Sequence, residues 1–165
     1  KTWGCGGMLE ETIQELDENF EYIKHEYRGN RIIIHVRSKR QEVTCPYCGQ
    51  KSKKIYSKYT RRCQDLPIQG KTVFIEIESR KLFCENHDCE KKTFVEPIDC
   101  ICYYARMTKR LEEIIIGVCK HTSSITAAGI LREMGIKIGK STICNRLKKN
   151  SDTDQSQTGK TRMHR

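Results

Sequence analysis

Residues 71–89, KTVFIEIESRKLFCENHDC, decide how the middle of this chain folds. After a turn at Gly70, Val73, Ile75 and Ile77 alternate with Phe74, Glu76 and Glu78. That period of two sends one side of a strand into a core and the other into water. The strand expected over 71–81 leads into Cys84 and Cys89. Upstream, Cys45-Pro-Tyr-Cys48-Gly49 is a C-x-x-C-G knuckle, with two thiolates at metal-bite spacing and a glycine that permits the tight turn. Two strand-flanked loops can converge on one ion, so a single structural Zn²⁺ held by Cys45, Cys48, Cys84 and Cys89 is the expected product. Four thiolates leave no open position for water or substrate, which argues against catalytic zinc.

His87, at C-x-x-H spacing from Cys84, is the alternative to one member of the second pair, and Cys100 and Cys102 are the next candidates. Cys5, Cys63, Cys119 and Cys144 read as small apolar or reduced surface residues. A redox pair competes for an isolated C-x-x-C, but the βαβ context it needs is missing.

Working outward, Arg31 to Arg37 carries three isoleucines and Val36 after a Gly29-Asn30 turn and reads as a strand, and Lys54 to Tyr59 as another. From Met8 to Tyr27, Leu9, Ile13, Leu16, Phe20 and Ile23 recur at spacings of three and four, which suits a helix or a helix running into a strand. The apolar residues of the β-rich middle region look too few for a self-sufficient core, so the metal is expected to hold it. Together with the N-terminal segment it is expected to form one zinc-ribbon-like domain, 8–99. Residues 1–7 are Gly-rich and aperiodic and read as a leader of unknown origin.

After residue 103 the period changes from two to 3.6. Met107, Leu111, Ile114, Ile115 and Val118 mark one helix face, with Thr108 as N-cap. A second helix takes Ile125 to Met134, capped by Ser123 or Ser124 and stopped at Gly135. The third starts at Ser141 and runs through Lys149 with Ile143 and Leu147 inward. Three short-linked helices over 103–149 with a basic last helix form a helix-turn-helix pattern, the competing reading being a three-helix protein-interaction bundle. The expected fold is therefore α+β, a small β-rich zinc-ribbon-like domain followed by an all-α three-helix helix-turn-helix domain. Residues 150–165 read as a disordered polar tail.

The net charge of +10 is unevenly placed. Residues 31–63 hold ten basic side chains against one acidic, and residues 100–149 ten against three. Two basic blocks, each attached to a binding-type motif, point to nucleic acid. In the last helix Lys140, Ser141, Thr142, Asn145 and Arg146 are placed to reach base edges, with Lys148 and Lys149 on phosphates. A second contact stretch is Lys51 to Arg62, chiefly Lys53, Lys54, Lys58, Arg61 and Arg62, whose interleaved Tyr56 and Tyr59 read as packing on the sheet. The longest purely aliphatic runs are three residues and the first thirty residues are acidic, so the expectation is a cytosolic protein with no membrane partner.

The order Cys45-Pro-Tyr-Cys48-Gly49, Tyr59-Thr-Arg-Arg62, Asp65-Leu-Pro-Ile-Gln-Gly70, Arg80-Lys-Leu-Phe-Cys84, Cys89 and Phe94-Val-Glu96 resembles the N-terminal zinc-binding region of ISL-three insertion-sequence transposases. The helices up to Lys149 resemble that family's helix-turn-helix. The resemblance implies binding to double-stranded DNA at terminal inverted repeats, in a bacterial cytoplasm and associated with the nucleoid. Family members continue into an Asp-Asp-Glu catalytic domain that holds two Mg²⁺. Only Asp152 and Asp154 are acidic after Asn150, so this chain reads as a transposase cut short, which binds DNA and is not an enzyme. Element ends come in pairs, which admits a homodimer or an assembly with full-length transposase, although no heptad repeat is present. The alternative is a stand-alone transcriptional regulator or a competitor of the intact transposase.

Overall fold

The alternation in residues 71–83 becomes the spine of a mixed sheet. In the computed structural model, which describes residues 6–101 and 106–147, the first elements are α1 (Gly6–Leu16), β1 (Phe20–Tyr27) and β2 (Arg31–Ser38). The helix-into-strand reading of the N-terminal segment is the one observed, with the helix starting inside the stretch expected to be a leader. Asp17 Oδ1 accepts from the Asn19 backbone N–H at 3.0 Å and turns α1 into β1. Gly29, at φ +58, closes the β1–β2 hairpin, where a side chain would be strained.

β6 (Lys71–Phe83) lies at the centre, parallel to β2 and antiparallel to β5 (Ile55–Ile68), with β7 (Thr93–Val95) paired to its far end. The sheet order is β1-β2-β6-β5, and β3 (Val43–Thr44) with β4 (Lys51–Ser52) forms a separate small ribbon. The register sets Ile32, Ile34 and Val36 beside Val73, Ile75 and Ile77, and Ile13, Phe20, Cys63, Cys100 and Ile101 cover them. Each such side chain contributes about 1.5–3 kcal/mol by leaving water. The other face carries ion pairs around Ile33 and Phe74: Arg37 pairs with Glu21, Lys58 with Glu78 and Arg62 with Glu76, while His35 stands between Glu26 and Glu76.

Two expectations are corrected here. The sheet has an apolar core of its own, because α1 and the Cys100–Ile101 segment bring in side chains that the β-rich stretch alone does not supply. The second strand is also far longer than Lys54 to Tyr59: β5 is 14 residues and includes Pro67. It is the edge of the sheet, where exposed polar side chains hide the period and a proline is tolerated.

The helical part comprises α2 (Lys109–His121), α3 (Ser124–Glu133) and a helical stretch at 140–147, α4. Thr108 caps α2, accepting from the Leu111 N–H, and Ser123 caps α3, accepting from the Thr126 N–H at 3.2 Å. Leu111, Ile115, Cys119, Ala127, Ala128, Leu131, Ile136 and Ile143 make one core, with Leu147 packed against it. Ile114, expected on the inner face of α2, is 43% exposed, and Cys119 takes a buried place there. Cys119 thus behaves as a small apolar residue, as do Cys63 and Cys100 in the sheet core. Lys148, Lys149, the 150–165 tail, Cys5 and Cys102 lie outside the described residues.

Sheet and helices are clasped at the β5–β6 end. The buried Asp65 carboxylate accepts from Thr108 Oγ1 at 2.7 Å and from the Arg110 guanidinium, through Nε at 2.9 Å and through Nη2. Gln64 exchanges backbone bonds with Arg106 and Thr108, and Thr72 Oγ1 donates to the Gly135 carbonyl at 2.7 Å. Gly135 sits at φ +86, and a Cβ there would stand 3.0 Å from the Gly70 carbonyl oxygen, so only glycine fits. Removing the carboxylate strands a half-buried guanidinium and unseats the α2 cap. Asp65→Ala is expected to lower unfolding free energy by about 2–4 kcal/mol in urea titrations, with the helical core losing hydrogen-exchange protection first.

Candidate metal centre

The metal site forms where the small ribbon meets the end of β6. β3 and β4 pair across the knuckle, the Cys45 N–H donates to the Gln50 carbonyl at 2.8 Å, and Gly49 turns back at φ +77. β6 carries Cys84 at its exit, where its N–H donates to the Lys92 carbonyl at 2.9 Å, and the loop back to β7 carries Cys89. The four sulfur atoms of Cys45, Cys48, Cys84 and Cys89 all lie within 4.8 Å of one another, with Cys48 and Cys84 Sγ 3.4 Å apart. A tetrahedron with metal–sulfur bonds of about 2.3 Å has edges near 3.8 Å, so this set fits one zinc ion. The four cysteines make a single zinc site. His87 is exposed in the loop and outside the group, and Cys100 is in the sheet core.

The thiols differ in acidity. Cys48 is drawn down to about 7, first by the Gln50 N–H and then by the thiol hydrogen bonds, whereas desolvation pushes Cys84 up to about 12. Burial likewise pushes Cys63 and Cys100 up to about 12, which keeps both as inert thiols. Zinc takes thiolates, so uptake releases protons and weakens as pH falls. Val43, Leu82 and Phe94 pack with Cys45 and Cys89 into a small apolar cluster apart from the main core.

The basic residues singled out in the sequence divide by what they touch. Lys53 pairs with Glu42 at 3.0 Å and Lys58 with Glu78 at 2.8 Å, holding both carboxyls below their usual range, and Arg62 is bound to Glu76. Among the described residues Lys54 pairs with no carboxylate; its Nζ lies 5.2 Å from the Phe83 ring centroid. Arg61 is half-buried and borders a cleft with Tyr47, Pro97 and Ile98. Tyr56 and Tyr59, expected to pack on the sheet, are 54% and 41% exposed.

On α4, Lys140, Ser141, Thr142 and Asn145 stand exposed over the first part of the helix. Arg146 does not join them: Nη1 donates to Glu112 Oε1 of α2 at 2.7 Å, and the guanidinium is mostly covered. Sequence reasoning missed Asp65, Thr108 and Arg110 as a set, because Asp65 lies more than forty residues from the other two; the only signal was Asp65-Leu-Pro, which carried no assigned role. Among the described residues no helix is long and apolar enough to cross a membrane.

Residues 41–89, which contain both cysteine pairs, match the family model described as the zinc-finger of transposase IS204/IS1001/IS1096/IS1165, a zinc ribbon of the ISL-three type. No curated protein and no solved structure matches the chain. The centre's own small cluster sets the expected damage when it is broken. Cys45→Ser should abolish stoichiometric zinc, measured by atomic emission, and unprotect the amides of 43–54 and 84–95. The β2–β6 amides should keep their protection, because their core does not include the metal.

Proposed function

We propose that this chain is the DNA-binding part of an insertion-sequence transposase, holding double-stranded DNA at terminal inverted repeats and cutting none itself. The observation that carries the reading is the transposase-type zinc centre in 41–89, on a sheet clasped to a helical unit whose last helix exposes Lys140, Ser141, Thr142 and Asn145. In this reading α2, α3 and α4 form a helix-turn-helix. α4 enters the major groove by its N-terminal end, Asn145 and Thr142 meet base edges, and Lys140 meets phosphate. Arg146 is a positioning residue, since its bond to Glu112 holds α4 against α2. Lys148 and Lys149 complete the phosphate contacts. Zinc is structural: its four thiolates leave about −2 of charge and no open position, so it shapes a surface. The protein acts in the bacterial cytoplasm on the nucleoid, as a homodimer on paired ends or together with full-length transposase.

Selection from fragmented host genome mixed with random duplexes at physiological salt tests the reading. Inverted repeats flanking a mobile element should be enriched; enrichment of promoters would replace the reading with a regulator, and no enrichment would remove sequence-specific binding. Within the selected site, Asn145→Ala should cost about 1–3 kcal/mol at one base pair, and Lys140→Ala should weaken all sequences alike and flatten the salt dependence by about one phosphate. Arg146→Ala should weaken binding uniformly and lower the melting temperature of the helical unit, a signature that a base contact alone would not give.

A further inference from the structure

The cations beside the zinc ribbon are matched in two different ways. On the outer face of β5 and β6, and on the ribbon itself, Lys58, Arg62 and Lys53 are matched with carboxylates, Arg62 also lying 5.8 Å from the Phe74 ring centroid. Next to Cys84, Lys54 and Lys81 are matched with rings: Lys54 Nζ is 5.2 Å from the Phe83 centroid and Lys81 Nζ is 5.0 Å from the Tyr56 centroid. The two rings meet edge to face, 5.1 Å apart at 84°. Lys81 and Phe83 are two residues apart on β6 and so share a side, and Tyr56 stands opposite at the register break between Ile55 and Ser57. The Phe83 N–H donates to the Lys54 carbonyl at 2.8 Å, which fixes the patch beside the metal ligand Cys84. Tyr56 is nonetheless 54% exposed, so its ring neither fills a core nor is covered by one.

From this array we infer that Lys54, Tyr56, Lys81 and Phe83 form a stacking site for an unpaired nucleotide of single-stranded DNA. The inference rests on the DNA-binding reading and adds to it a preference for unpaired ends. Lys81 lies over one face of the Tyr56 ring, so a base would stack on the other; any base serves because every base has a π-face, and the flanking ammonium groups meet the adjoining phosphates. A duplex buries its base faces within its own stack, so it could use the two lysines here but not the ring. Ring and charge together therefore select an unpaired strand, where charge alone would not.

The test compares three fluorescent DNAs at physiological salt by anisotropy: a blunt duplex carrying the selected site, the same duplex with a single-stranded overhang of about five nucleotides, and a single strand of about ten nucleotides. The wild-type protein should bind the overhang duplex about tenfold more tightly than the blunt one. Tyr56→Ala should abolish that difference and leave blunt-duplex affinity within about twofold, while Tyr56→Phe should keep it. Lys81→Gln should reduce the overhang preference in part. Equal wild-type affinity for blunt and overhang duplexes overturns the inference and leaves the helix-turn-helix reading standing, as does an equal loss on both DNAs in Tyr56→Ala. Failure of the wild-type protein to bind any of the three overturns the DNA-binding reading and the inference with it.

Discussion

Everything in this chain hangs on the hydrogen-bond ladder of β6. Among the described residues it is the one strand that pairs with three others, and each part of its length has a different task. Its first residues dock the helices, through the Thr72 hydroxyl on the Gly135 carbonyl. Its middle supplies Val73, Ile75 and Ile77 to the core and Glu76 and Glu78 to the ion pairs on the opposite face. Its last residues place Leu82 under the zinc ribbon and deliver Cys84 to the metal. A slip of one residue in this register would turn the core residues into water and the glutamates into the core. Three unrelated functions of the strand are thus fixed by one alignment.

Legibility followed the reach of each interaction. The features governed by near neighbours could be read: the alternation of β6, the knuckle at Cys45 to Gly49, the caps Thr108 and Ser123, and the inward Ile143. β5 was short in the sequence reading because an edge strand can be polar on both sides and leaves no period to find. The role of Arg146 was hidden because Glu112, thirty-four residues earlier, decides where its guanidinium goes. Asp65 was hidden in the same way, since its partners belong to a helix on the far side of the metal motif. Pairing the four cysteines was easier than pairing the cations, because a metal restricts ligand type and geometry while a carboxylate accepts any nearby cation.

The same asymmetry changes what the net charge of +10 means. The most basic segment, 31–63, carries one acid of its own, yet in the folded chain it borrows Glu21, Glu76, Glu78 and Asp99 from elsewhere. Exposed pairs of this kind are worth about 0–1 kcal/mol each, so they do little for stability. Their effect is on the potential: they offset the positive charge over the sheet face and leave Lys54 and Lys81, matched with rings, beside the zinc ribbon. Sequence charge counts overstate the first surface and say nothing about the contrast between them.

The metal's place in this scheme is local. The sheet core and the helical core close without contact to the zinc cluster, and the Asp65 clasp joins those two at the opposite end of β6 from the cysteines. Stability is therefore graded along the strand, high where β2 and β5 flank it and lower where the small ribbon depends on four sulfur atoms and a few apolar side chains. The surface that depends most on zinc is the one that carries Lys54, Phe83 and the knuckle, while α4 depends on Asp65 and Glu112. The two proposed nucleic-acid surfaces rest on separate devices and so are expected to fail separately, with zinc withdrawal silencing one while the other stays folded.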